Sequence, residues 1–93
     1  MKPYKIVYGN LIDTKTLSKL DPKILQLIKK QIEDKLTTKP EIFGKPLRTS
    51  LKGYRRLRVG AFRVIFKIQG RSVKIVFIGK KPDVYTHFES KIR

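Results

Sequence analysis

A chain of 93 residues with a net charge of +16 holds one domain, residues 1–93, with room for a modest core but not for two. Its charge directs attention to nucleic acid, an acidic partner protein or an anionic surface. Cysteine is absent, which removes disulfide frameworks and thiolate metal sites. The start, MKPYKIVYGN, lacks a signal-peptide pattern and the apolar runs are too short to span a bilayer, so a soluble, cytoplasmic protein is expected.

In chain order, the β-branched and aromatic run Tyr4 to Tyr8 predicts a short first strand that stops at Gly9. A short helix is expected around Thr14 to Leu20. Asp21-Pro22 then pairs a capping side chain with a proline suited to the first helical position. Behind it, Leu25, Ile28, Ile32 and Leu36 form one apolar stripe at helical spacing. Thr38 to Leu51 carries two prolines and a glycine and reads as a loop with Phe43 and Leu47 tucked inward. Three strands follow, Tyr54 to Val59, Ala61 to Ile68 and Val73 to Gly79, and connections this short require antiparallel neighbours. Val84, Phe88 and Ile92, four apart, predict a short C-terminal helix packed on the sheet. The fold class is α+β: a small curved antiparallel sheet with an N-terminal strand, a helical pair on one face, three C-terminal strands and a terminal helix.

The charge is unevenly spread. Met1 to Glu41 holds nine basic and five acidic residues, whereas Ile42 to Pro82 holds twelve basic and no acidic ones. This central segment is rich in Val, Ile and Phe, so it is folded protein and no disordered basic tail. Within it, Gly53 to Ile68 reads GYRRLRVGAFRVIFKI, a hairpin with four arginines, one lysine and no carboxylate to pair them. Alternation puts Leu57, Val59, Phe62, Val64, Phe66 and Ile68 on one face and Tyr54, Arg56, Arg58, Arg63, Ile65 and Lys67 on the other. Lys74 and Lys80 join the charged face if Val73, Ile75 and Phe77 point inward. Like charges side by side on a sheet repel, and phosphate suits the planar fork of arginine. The competing reading is a face that is merely solvated, its arginine stems covering apolar surface.

The run FGKPLRTSLKGYRRLRVGAFRVIF (Phe43 to Phe66), with IGKKPDVY (Ile78 to Tyr85), resembles the RelE/ParE superfamily of bacterial and archaeal toxins, and within it the RelE-like messenger-RNA interferases. The resemblance implies a toxin that enters the ribosome, cuts bound message without metal or other cofactor, and is silenced by an acidic, RelB-like antitoxin. It implies that the ribose 2′-hydroxyl attacks the adjacent phosphate. Arg63 would steady that phosphate, and Arg56 would stand where such toxins often carry a catalytic lysine. Lys81 would stand where a family arginine acts near the leaving group, and Tyr85 would stack on or orient the target nucleotide. Lys52, Arg55, Arg58, Lys74 and Lys80 are the expected RNA contacts around these four. Tyr54 stands near a lysine of some relatives, and no carboxylate lies between Glu41 and Asp83, so neither base used in the family is matched. His87, the single histidine, reads as a helix-surface or packing residue and Glu41 as an ordinary loop residue. Two other functions stay open: a ParE-like gyrase inhibitor and a non-catalytic nucleic-acid-binding relative.

Overall fold

The computed structural model describes residues 3–12 and 14–92. Strand β1 (Lys5–Tyr8) leads through helix α1 (Thr14–Ser18) to helix α2 (Pro22–Gln31), which passes into a π-helical stretch, Ile32–Leu36. The start of α2 is built as the sequence predicts: the Asp21 carboxylate accepts from the Lys23 amide at 2.8 Å, and Pro22 takes the first turn. Ile28, Ile32 and Leu36 are fully buried, with Ile24 rather than Leu25 extending their stripe against the core.

The predicted loop from Thr38 to Leu51 holds three short elements instead. Helix α3 (Pro40–Phe43), the two-residue strand β2 (Lys45–Pro46) and a 3₁₀ turn at Thr49–Leu51 occupy it. Each is shorter than any periodicity can register. Strands β3 (Arg55–Val59), β4 (Phe62–Gln69) and β5 (Ser72–Lys80) follow, and helix α4 (Asp83–Ile92) ends the described chain. The strands lie in the order β1-β5-β4-β3-β2. The sheet is mixed, because β1 runs parallel to β5 while the other pairs are antiparallel. Short-turn reasoning fixes only neighbours in sequence, and β1 pairs with the most distant strand.

Two apolar layers form, one on each face of the sheet. On the first, α2 and its π-helical extension bury Ile28, Ile32 and Leu36 against Leu57, Val59, Val64, Phe66, Val73 and Ile75. On the second, Val84 and Phe88 of α4 meet Leu47, Leu51, Ile65 and Val76. The face on which the arginines were expected is thus partly covered by α4. A bulge produces part of this change. Ile65 pairs with Phe77 but Phe66 pairs with Ile75, leaving Val76 as an extra residue in β5, and one extra residue reverses which way every later side chain points. Phe77, expected inward beside Val73 and Ile75, therefore packs on the second face with its ring 5.7 Å from that of Phe88. No described helix is long and apolar enough to cross a membrane.

Candidate functional site

Where α4 stops covering the second face, a cleft of about 240 Å³ opens, lined by Phe43, Lys45, Arg56, Arg58, Arg63, Lys81 and Tyr85. Its lining holds five cations and no carboxylate. Sheet register explains the gathering. Lys45 of β2 pairs with Arg56 of β3, and Arg58 of β3 pairs with Arg63 of β4, so these four side chains stand in two adjacent rows on one face. Gly79 of β5 lies opposite Arg63. A Cβ there would come within 2.9 Å of Val84 Cγ2, so glycine lets α4 close onto the sheet and brings Tyr85, one residue on, to the cleft. The amide of Lys81 donates to the Ala61 carbonyl at 2.9 Å, which ties the approach to α4 to the β3–β4 turn.

Arg63 is the fixed member of the group. It is only 7 % exposed, and its Nη1 donates to the carbonyls of Gly60 and Phe62, each at 2.8 Å. Guanidinium offers five N–H donors, so the Nη2 and Nε edge remains for a ligand. No buried side-chain nitrogen or oxygen among the described residues lacks a partner, so that edge reaches solvent. Arg56 is half-buried and Arg58 exposed. Opposed like charges such as Arg58 and Arg63 repel, and an anion seated between them reverses the sign of the interaction.

The cleft unites Arg56, Arg58, Arg63, Lys81 and Tyr85, five of the nine site residues expected from the sequence. The other four lie elsewhere. Arg55 points to the first face opposite Phe66, where its Nη1 donates to the carbonyls of Gly44 at 2.9 Å and Glu41 at 3.3 Å. It clasps α3 to the sheet. Lys80 pairs with Phe62 and so also leaves the charged face, displaced by the bulge. Lys74 keeps the second face but pairs with Lys67 at the far end of the strands, and Lys52 stands exposed in the turn before β3. Tyr54 shares the charged face as expected, yet its ring is spent on the second core, edge-on to Phe88 at 5.0 Å and 85°. His87 is exposed on α4 and outside the cleft.

Lys45 and Phe43 were missed. Lys45 enters through a strand of two residues, too short to show alternation. Phe43, expected inward, is 42 % exposed, and apolar character alone gave no warning of this. Among the described residues no group of three or more His, Asp or Glu side chains could hold a metal ion.

No protein-family model matches the sequence, and no curated protein sequence does. Solved structures do. A chain of the RelBE2 toxin–antitoxin complex from Mycobacterium tuberculosis superposes with a TM-score of 0.77 at 29% identity, covering 89% of this chain and 97% of that one. The RelB–RelE antitoxin–toxin complex from Methanococcus jannaschii gives 0.62 at 19% identity, over 88% of this chain and 98% of the other. The intact RelBE complex of Escherichia coli gives 0.63 at 16%, over 83% and 95%. The fold is RelE-like, and the resemblance to the RelE/ParE toxins extends over nearly the whole chain.

Proposed function

We propose that this protein is the toxin of a type II toxin–antitoxin pair and that it acts as an endoribonuclease on messenger RNA bound in the ribosome. One observation carries the reading. A nine-tenths-buried arginine, held by two backbone carbonyls, presents its free edge in a cleft with four further cations and a tyrosine. Fixed donors aimed at the place where negative charge develops lower a barrier most, because nothing has to reorganise during the reaction.

In the proposed reaction the ribose 2′-oxygen attacks the adjacent phosphorus and the bond from phosphorus to the 5′-oxygen breaks. A 2′,3′-cyclic phosphate and a free 5′-hydroxyl result. The proton lost from the 2′-hydroxyl is balanced by one delivered to the departing 5′-oxygen. Arg63 holds the equatorial oxygens of the phosphorane, with Arg56 beside it as a phosphate clamp and a poor base. Lys81, at the rim, has a proton to donate near the leaving group. The hydroxyl of Tyr85 is free of protein partners among the described residues and can orient the 2′-oxygen. Arg58 and Lys45 hold flanking phosphates. No metal or organic cofactor is included, since the side chains already present bring the positive charge.

The partner is proposed to be a RelB-like antitoxin, supported by the toxin–antitoxin complexes among the structural neighbours. An acidic segment that orders on binding would meet the unpaired cations. The deciding experiment is expression with and without the antitoxin, followed by mapping of 5′ ends on cellular messages. Cuts inside translated codons are expected. Growth arrest with intact messages and supercoiling-defective DNA would overturn the reading in favour of gyrase.

A further inference from the structure

The catalytic proposal gives no work to Phe43, yet its setting is unusual for an apolar side chain. It lines the cleft with Tyr85, is 42 % exposed, and joins neither buried cluster among the described residues. An exposed phenylalanine on an untethered loop would call for no explanation, but the backbone carrying this one is tied down by several contacts. Pro40 is fully buried at the start of α3. The amide of Gly44 donates to the Pro40 carbonyl at 3.0 Å, and a Cβ on Gly44 would fall 2.1 Å from Phe66 Cζ, so the chain here lies directly on a core ring. Arg55 fastens the Glu41 and Gly44 carbonyls from the sheet side. The Lys35 ammonium stands over the Phe43 ring, 5.5 Å from its centre.

A ring carried on a backbone held in this way brings less chain freedom to be lost when a ligand covers it, which is where preorganised contacts gain affinity. Bases of single-stranded RNA stack on aromatic side chains while cations follow the phosphates. Resting on the RNA-cleaving reading above, we propose that Phe43 is a base-stacking residue, which together with Tyr85 seats one base of single-stranded RNA in the cleft while Lys45 and Arg58 take the neighbouring phosphates. Stacking is tolerant of base identity, so the slot fixes the register of the chain on Arg63 more than it reads sequence. Phe43 is thereby a positioning residue for the phosphate to be cut.

The test uses short single-stranded RNAs bearing 2-aminopurine at each position in turn, with 2′-deoxyribose at the cut so that binding is read without cleavage. One position should lose fluorescence on binding to the wild-type protein. Phe43→Ala should cut that quenching to what Tyr85 alone gives and weaken binding roughly five- to hundredfold, whereas Phe43→Trp should keep both and Phe43→Leu should fall between. An abasic site at the quenched position should remove the difference between wild type and Phe43→Ala. Thermal melting is expected to be almost unchanged, because the ring is outside both cores. Unaltered RNA affinity and quenching in a folded Phe43→Ala protein would overturn the inference while leaving the nuclease reading intact. So would a loss of antitoxin affinity with RNA binding preserved, which would make Phe43 a protein anchor. Failure of the wild-type protein to bind any of these RNAs would also overturn the inference, which needs a slot the isolated protein presents, whereas the ribosome-bound nuclease reading stands or falls on the mapping of 5′ ends.

Discussion

Replacing Arg63 with alanine should separate the structural task of this residue from its proposed chemical one. From the sequence alone, a cation on an unpaired basic face should contribute little to stability. Arg63 is instead buried and bonded to two carbonyls of its own hairpin. A hydrogen bond to a charged group contributes about 1.5–3 kcal/mol. Gly60 is exposed, so its carbonyl can regain water after truncation and only the Phe62 bond is lost in full. Removing the repulsion from Arg58 returns about 0.2–1 kcal/mol. The net cost is about 1–2 kcal/mol, and a domain of this size loses roughly 4–8 °C of melting temperature per kcal/mol. Arg63→Ala should therefore melt several degrees lower yet remain folded at 25 °C. Its single-turnover cleavage of message on programmed ribosomes, normalised to folded protein, should fall by about 10²–10³, the usual loss for one preorganised donor. Arg63→Lys keeps the charge without the fork and should recover only part of that rate. A variant with the lowered melting temperature and wild-type cleavage would refute the reasoning, leaving Arg63 as a clasp for the turn and nothing more.

The other site residues make distinguishable predictions. Arg58→Ala should flatten the dependence of RNA affinity on salt by about one contact, roughly 0.7 in log slope on a single strand, whereas Arg55→Ala should lower stability and leave the slope alone; equal slopes in both would dissolve the assignment of faces. Tyr85→Phe should slow cleavage with little change in RNA affinity, a loss in kcat rather than KM, and an unchanged kcat would remove its hydroxyl from the mechanism. Gly79→Ala should force Val84 outward, cost about 1–3 kcal/mol by overpacking, and reduce cleavage by shifting Tyr85, with wild-type stability counting against the close contact of α4.

What could be read from the sequence depended on whether a feature repeats over enough residues to declare itself. The stripe of Ile28, Ile32 and Leu36 repeats, as do the alternating strands β3 and β4, and both appear in the structure. Asp21-Pro22 is a local signal that needs no repetition. One extra residue, Val76, leaves no trace in composition, yet it moved Phe77 and Lys80 to faces opposite those expected. A hint of the second core did exist: Ile65 sits between Arg63 and Lys67, an apolar residue on a face otherwise assigned to water, and Val84 and Phe88 offered it a partner. Arg55 lies one residue from Arg56 in β3 and so faces the other way, which its assignment as an RNA contact, made on charge, did not take into account. The elements of two to four residues that bring Phe43 and Lys45 to the cleft lie below what any pattern resolves.

The contrast within the cluster of cations bears on which of its two readings is favoured. A solvated arginine face would show guanidinium groups reaching water, as exposed Arg58 does. Arg63 does the opposite, because it gives up hydration, spends two donors on carbonyls of its own turn and faces a second arginine across the strands. Burial and repulsion both disfavour that arrangement in the protein by itself. It becomes favourable once an anion arrives, since the remaining donors are already aimed and the repulsion turns into shared attraction. From Arg63 outward through half-buried Arg56 to exposed Arg58 and Lys81, the cations pass from fixed to adaptable. Under the proposed function, chemistry that needs one accurately held charge belongs at the buried end, and capture of a flexible chain of phosphates belongs at the rim.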